Sequence, residues 1–295
     1  MSKKLMRLAP LCALLVLPLL HAEDAFLDSD GVRIHYTVEG SGEPVLLIHG
    51  YTANIAVNWA APGVIKALAD KYQVIAIDNR GHGQSEKPHD PQAYGIKMVA
   101  DSIHLLDHLN LRKVHVVGYS MGGFFTSVLI TEHPDRFWTA TMGGAGWTMP
   151  ELDNMLPKLA DSLEQGKGLG PLMAALNPPG QPPLPAEQMD AVNKMILSFN
   201  DPLALAAIAR GGLPHASEAK IRANKIPALA LIGELDPIKA GVDQLQGMMP
   251  DLKVVVIPGA THLTAFSSPV FIDNLKSFLA EHPAKAAAVK ATAGN

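Results

Sequence analysis

Three features of the 295-residue chain predict an α/β fold: a mostly parallel, doubly wound sheet with an inserted helical cap. Short, continuous apolar runs alternate with helical segments between Pro44 and Met142, as in βαβ units whose sheet is covered on both faces. The alternation stops near Trp147, and a stretch rich in Pro, Gly, Met and Leu continues to about Lys220 with helical patches but no strand pattern. Apolar strands then resume at Ala228 and again at Lys253. With 48% hydrophobic residues, the chain can bury one large core and still support an insertion.

The first residues fall outside that core. Lys3, Lys4 and Arg7 precede the apolar run 11–20, and Ala22 offers a small residue for cleavage before Glu23. This is the layout of a signal peptide over 1–22, with an apolar run too short for a comfortable membrane span. An exported, periplasmic or secreted protein is expected, with no stable membrane span after processing. An uncleaved N-terminal membrane anchor is the alternative, because Leu20 is large for the −3 position. Cleavage would remove three basic residues and no acidic one, leaving 21 basic against 28 acidic and a formal charge of −7. It would also remove Cys12, the one cysteine, and with it any disulfide or thiol nucleophile. The acidic balance, with no basic cluster, argues against nucleic acid as a partner.

A hairpin is predicted over 25–39, where Asp28-Ser29-Asp30-Gly31 supplies the turn and Val32, Ile34, Tyr36 and Val38 alternate with other residues. The strand 44–48 ends in His49-Gly50-Tyr51-Thr52. A helix over 61–71 leads to the strand 73–78, which runs into Asn79-Arg80-Gly81-His82-Gly83-Gln84-Ser85. Ile96, Val99, Ile103 and Leu106 share one face of a helix over 96–109. The strand 114–118 enters a tight turn, a helix follows to about Glu132 before Pro134, and a strand over 137–142 is closed by Gly143-Gly144. Helical patches lie at 152–163, 186–199 and 202–209, and a last helix at 270–279. The core is thus read as 23–146 and 221–283, the cap as 147–220, and 284–295 as a flexible tail.

The chemistry starts at Gly118-Tyr119-Ser120-Met121-Gly122, which fits the G-x-S-x-G nucleophile elbow. A strained turn projects the serine, and side chains at either glycine would meet neighbouring backbone. A serine hydroxyl is a poor nucleophile at neutral pH; it needs a base, and that base needs an acceptor to hold its tautomer. In an open parallel sheet such groups belong in loops after the strands' carboxyl ends. Asp236 follows the strand 228–233, and His262 follows the strand 253–257. Glu234 and Asp243 are rival acids, but the first falls inside the turn and the second on a helix.

Here the sequence resembles the α/β-hydrolase family. The landmarks His49-Gly50-Tyr51, Asp78 to Ser85, the elbow, Gly233-Glu234-Leu235-Asp236 and Gly259-Ala260-Thr261-His262 stand in the usual order. The resemblance implies that Ser120 is the nucleophile, His262 the general base and then acid, and Asp236 the orienting carboxylate. It places the oxyanion hole at the backbone N–H groups of Tyr51 and Met121. His49 and His82 are expected to fix their own loops, and Asp78 and Arg80 to brace a turn. Trp147 and Tyr119 are candidate substrate-binding residues, with Trp59 a further aromatic that either lines the pocket or fills the core.

No metal-ligand spacing and no nucleotide-binding glycine pattern after a strand is present, so cofactor-free chemistry is expected. The expected function is a serine esterase acting on a small-molecule ester, or a thioester or lactone, through an acyl-enzyme. An apolar, Met- and Leu-rich cap points to an apolar substrate. Haloalkane dehalogenases and epoxide hydrolases carry aspartate in the position of Ser120, so the chain is unlike either. Carbon–carbon bond hydrolases and perhydrolases share the triad, and a non-catalytic small-molecule-binding member is the alternative of another class.

Overall fold

The strands are five to eight residues long, apolar throughout most of the inner ones and alternating in the outer hairpin, and their two-residue period sorts side chains to the two faces of the sheet. The computed structural model describes residues 23–284. The signal peptide or anchor expected over 1–22 lies outside the described residues, as does the tail from 285. Among the described residues, no helix is long and apolar enough to cross a membrane.

β1 (Glu23–Ser29) and β2 (Val32–Glu39) make the predicted antiparallel hairpin. They are followed by β3 (Glu43–Ile48), β4 (Tyr72–Ile77), β5 (Val114–Tyr119), β6 (Phe137–Gly143), β7 (Ala228–Gly233) and β8 (Lys253–Ile257). The sheet order is β1-β2-β4-β3-β5-β6-β7-β8. β2 meets β4 antiparallel, and every pairing from β4 to β8 is parallel. In β3, Leu46 and Ile48 join one core layer while Val45 and Leu47 join the other. Both faces of the sheet are therefore covered.

A π-helical turn (Ala56–Ala60) precedes α1 (Val64–Ala69). α2 (Ile96–His108) and α3 (Met121–Glu132) follow β4 and β5. α3 is buried from Met121 to Ile130; its sequence is mostly apolar there, and Thr126 and Ser127 donate their hydroxyls to the carbonyls of Gly122 and Phe124. The buried face of α2 departs from the predicted stripe: it is made by Met98, Val99, Asp101, Ser102, Leu105 and Leu106, while Ile96 is 59% exposed. The cause is Arg80. Its guanidinium grips Asp101 at 2.7 and 2.5 Å, and this ion pair turns a polar residue of α2 inward.

Between β6 and β7 the chain runs through α4 (Pro150–Glu164), α5 (Gly170–Ala175), α6 (Ala186–Leu197), α7 (Pro202–Gly211) and α8 (Glu218–Ala223). α4 and α7 pack against each other, their Leu156, Leu159, Leu205 and Ile208 buried in one core layer, and are tied at the surface by Arg210 to Asp161 and Glu164. Asp201 caps α7, accepting from the N–H groups of Leu203 and Ala204, with Pro202 at the first position. In α6 no residue is buried. α9 (Lys239–Met248) follows β7, and α10 (Pro269–Glu281) closes the core with Phe271, Leu275 and Phe278 buried.

Candidate active site

Ser120 sits between β5 and α3 at φ 52° and ψ −118°, a left-handed conformation that a non-glycine residue rarely adopts. Its N–H donates to the Gly143 carbonyl at 2.8 Å, which helps hold the turn. The flanking glycines are steric necessities. A Cβ at Gly118 would collide with the Gly122 carbonyl, and one at Gly122 with the Ile48 carbonyl. The turn thus presses α3 against the end of β3 and leaves the serine hydroxyl facing outward.

Three side chains converge there. The Ser120 hydroxyl lies 2.9 Å from His262 Nε2, and His262 Nδ1 lies 2.8 Å from Asp236 Oδ2. A carboxylate only accepts, so Nδ1 carries a proton, and in the neutral imidazole Nε2 is then the lone-pair nitrogen facing the serine. The second oxygen of Asp236 accepts the Ile238 N–H at 2.9 Å, fixing the carboxylate plane. Asp236 and His262 are both buried. The rival acids are engaged elsewhere: Glu234 accepts from the Gly259 N–H, and Asp243 pairs with Lys239. Tyr119 donates its hydroxyl to the His262 carbonyl at 2.6 Å and holds its ring 5.5 Å from the imidazole.

Beside Ser120, the backbone N–H groups of Tyr51 and Met121 donate to no other described protein atom. The Tyr51 loop approaches closely because residue 50 is glycine; a Cβ there would stand 3.1 Å from that of Ser120. Buried polar groups brace the loop. The Gly50 N–H donates to Asn58 Oδ1 at 2.9 Å, and the Ile55 N–H to Asp78 at 2.9 Å. Asp78 also accepts from Gln84 N–H and His35. Burial alone would raise its pKa, but the His35 hydrogen bond and the other donors win and hold it below the usual carboxylate value.

His49 and His82 are fixed in their loops. His49 Nδ1 donates to the Gly50 carbonyl and Nε2 accepts the Asn79 N–H, at 2.7 and 3.0 Å. His82 Nε2 accepts the Thr52 N–H at 3.3 Å, beside Tyr51. Burial lowers the pKa of both, that of His82 to about 3, so each is a neutral acceptor of backbone N–H.

A cavity of about 270 Å³ opens from Ser120, walled by Tyr119, His262, Leu263 and cap residues such as Met173, Ile196 and Phe199. Tyr119 does line it. Trp147 lines neither this cavity nor the smaller one at Ser120: its indole N–H is spent on the Ala216 carbonyl at 2.8 Å, tying the start of the cap to its end. Trp59 is wholly buried in the core. No motif in the sequence marks the cap residues of the cavity, nor Asn200, whose side-chain amide donates to the Thr52 carbonyl at 3.0 Å and joins cap to loop.

This sheet, elbow and insertion define an α/β-hydrolase fold. The family model described as alpha/beta hydrolase fold matches residues 43–168, from β3 through α4, a span that holds the elbow. Among relatives, the dihydrolipoyllysine-residue acetyltransferase component of the acetoin cleaving system of Cupriavidus necator is 37% identical over 115 residues, 38% of this chain and 29% of that protein. The soluble epoxide hydrolase of a Corynebacterium species is 41% identical over 97 residues, 32% of each chain. The match spans about a third of the length of these curated relatives. The crystal structure of the enol-lactonase from Burkholderia xenovorans LB400 superposes with a TM-score of 0.72 at 22% identity, over 87% of this chain and 100% of that one, a likeness of fold.

Proposed function

We propose that the protein is a serine hydrolase that cleaves a carboxylic ester, or the related thioester or lactone, through an acyl-enzyme. One observation carries the reading: a continuous hydrogen-bonded chain from Ser120 through His262 to Asp236, beside two backbone N–H groups with no acceptor among the described residues. His262 Nε2 takes the Ser120 proton as Oγ attacks the carbonyl carbon. The oxyanion is held by the Tyr51 and Met121 N–H groups, each such donor contributing roughly 3–4 kcal/mol at the transition state. Asp236 stabilises the imidazolium, which then gives its proton to the leaving oxygen. Water, deprotonated by the same nitrogen, cleaves the acyl-enzyme and returns the proton to Ser120.

The named relatives act on different bonds, and only about a third of each is matched, so the reaction is read from the site. A serine oxygen attacking an ester gives an acyl-enzyme; epoxide opening on this fold calls for a carboxylate in its place. The lactonase name of one structural neighbour keeps lactones in the substrate panel. The test is turnover of p-nitrophenyl acetate by wild type and Ser120→Ala, with a loss of about ten-thousand-fold or more in kcat expected. Equal rates would exclude Ser120 as nucleophile. Absence of turnover with every ester, thioester and lactone tried would favour a small-molecule-binding member of the fold.

A further inference from the structure

Ser120 stands where two cavities of unequal size meet. The larger, of about 270 Å³, lies on the His262 side and opens beneath α6. The smaller, of about 40 Å³, runs the other way, between Met121, Phe124, Leu156, Ile208, Leu213 and Ile238. Tyr51, Leu172 and Leu176 line both and form the partition. Among the described residues, no Asp, Glu, Lys or Arg side chain lines either one.

The proposed chemistry assigns the two halves of a substrate. The leaving oxygen must receive its proton from His262 Nε2, and His262 borders only the larger cavity. The leaving alcohol therefore lies on that side. The acyl chain is directed away from it, past the Met121 N–H, into the smaller cavity. A space of that size admits about one to three heavy atoms beyond the carbonyl carbon. Its walls are packed side chains: Phe124 and Ile208 are buried, and the Tyr51 hydroxyl is already committed to the Leu205 carbonyl. Longer acyl chains must displace core packing, which is costly.

Resting on the serine-hydrolase reading, we propose that the substrates are esters of short, uncharged acyl groups, acetyl to butyryl, with bulky apolar alcohols. Long-acyl esters of small alcohols are excluded by the same geometry. The cavity on the alcohol side is nearly seven times the larger. It is rimmed by Met195, Phe199 and Leu263, all partly exposed, so a long alcohol can extend outward past α6.

Two isomeric esters test this without changing composition or overall hydrophobicity: octyl acetate and methyl nonanoate. Octyl acetate should be favoured in kcat/KM by roughly a hundredfold, since single misfitted methylenes already cost about tenfold. Leu213→Ala, at a half-buried loop position, should widen the small cavity and raise the ratio of 1-naphthyl hexanoate to 1-naphthyl acetate turnover by about tenfold. Met195→Ala, at the rim of the larger cavity, should instead alter the dependence on alcohol length. Ser120-dependent turnover that prefers methyl nonanoate, or acts on neither isomer, overturns the substrate assignment alone. A hexanoate-to-acetate ratio unmoved in folded Leu213→Ala does the same. Turnover that survives Ser120→Ala overturns the serine-hydrolase reading instead.

Discussion

Tyr119 touches no proton in the proposed reaction, yet its hydroxyl donates to the carbonyl of His262 and its ring lies against the imidazole. Tyr119→Phe keeps the ring and deletes the donor, leaving a buried carbonyl without its partner. The expected cost is about 1–3 kcal/mol in a urea unfolding titration. With the imidazole less firmly placed, kcat should fall about tenfold while KM holds, because the cavity wall is kept. A change confined to KM would assign Tyr119 to binding rather than positioning. Arg80 is a second residue whose partner could not be read from its neighbours. Its place in the turn after β4 was visible, but Asp101 lies 21 residues away, on a helix whose apolar spacing gave no reason to expect a buried acid. Asp101→Ala would strand the guanidinium among buried groups and should cost about 3–5 kcal/mol by the same titration.

At the scale of elements, legibility followed the range of the forces involved. β3, β4, β5 and β7 are continuous apolar runs, and such runs specify buried strands with little help from elsewhere. The elbow is readable because its two glycines answer steric clashes with backbone, and the meeting of Asp236 with His262 because both stand in loops just after strand ends. The cap was not. α5 and α8 span six residues each, too short for a helical period to register, and Trp147 turned from the pocket because a carbonyl 69 residues away takes its N–H. The same insertion contains the least anchored long helix. α6 buries no residue, follows the proline-rich 178–185, and is held partly by Asn193 to the Leu169 N–H and by Asn200 to Thr52. Limited trypsin digestion should therefore cut after Lys194 before it cuts at Lys158 of α4 or Arg210 of α7. Asn200→Ala should speed that cut. Equal resistance of all three sites would mean that α6 is fixed as firmly as its neighbours.

Across the whole molecule, the buried histidines act on stability in opposite directions with pH. His49 and His82 are kept neutral by burial, so the unfolded chain takes up protons near the ordinary histidine value of 6.5 while the folded chain resists. Their contribution is complete above that value and is lost as pH falls, for His82 down to about 3. Asp78, held below the ordinary aspartate value of 3.8, adds a further acid-side loss as pH falls from 3.8 through its lowered value. His35 works the other way. Burial lowers its pKa, but Asp78 at 2.8 Å and Asp24 at 3.1 Å outweigh burial and raise it above 6.5. Its contribution is complete below 6.5 and is lost as pH rises through the raised value. Because both ring nitrogens face carboxylates, the charged form joins β1 to the turn after β4; losing a proton gives up one of these contacts. Urea midpoints measured across pH should therefore fall on both sides of a maximum near neutrality. His35→Gln should flatten the alkaline side, and His82→Leu should flatten part of the acid side. An alkaline slope that survives intact in His35→Gln would place its origin in another group.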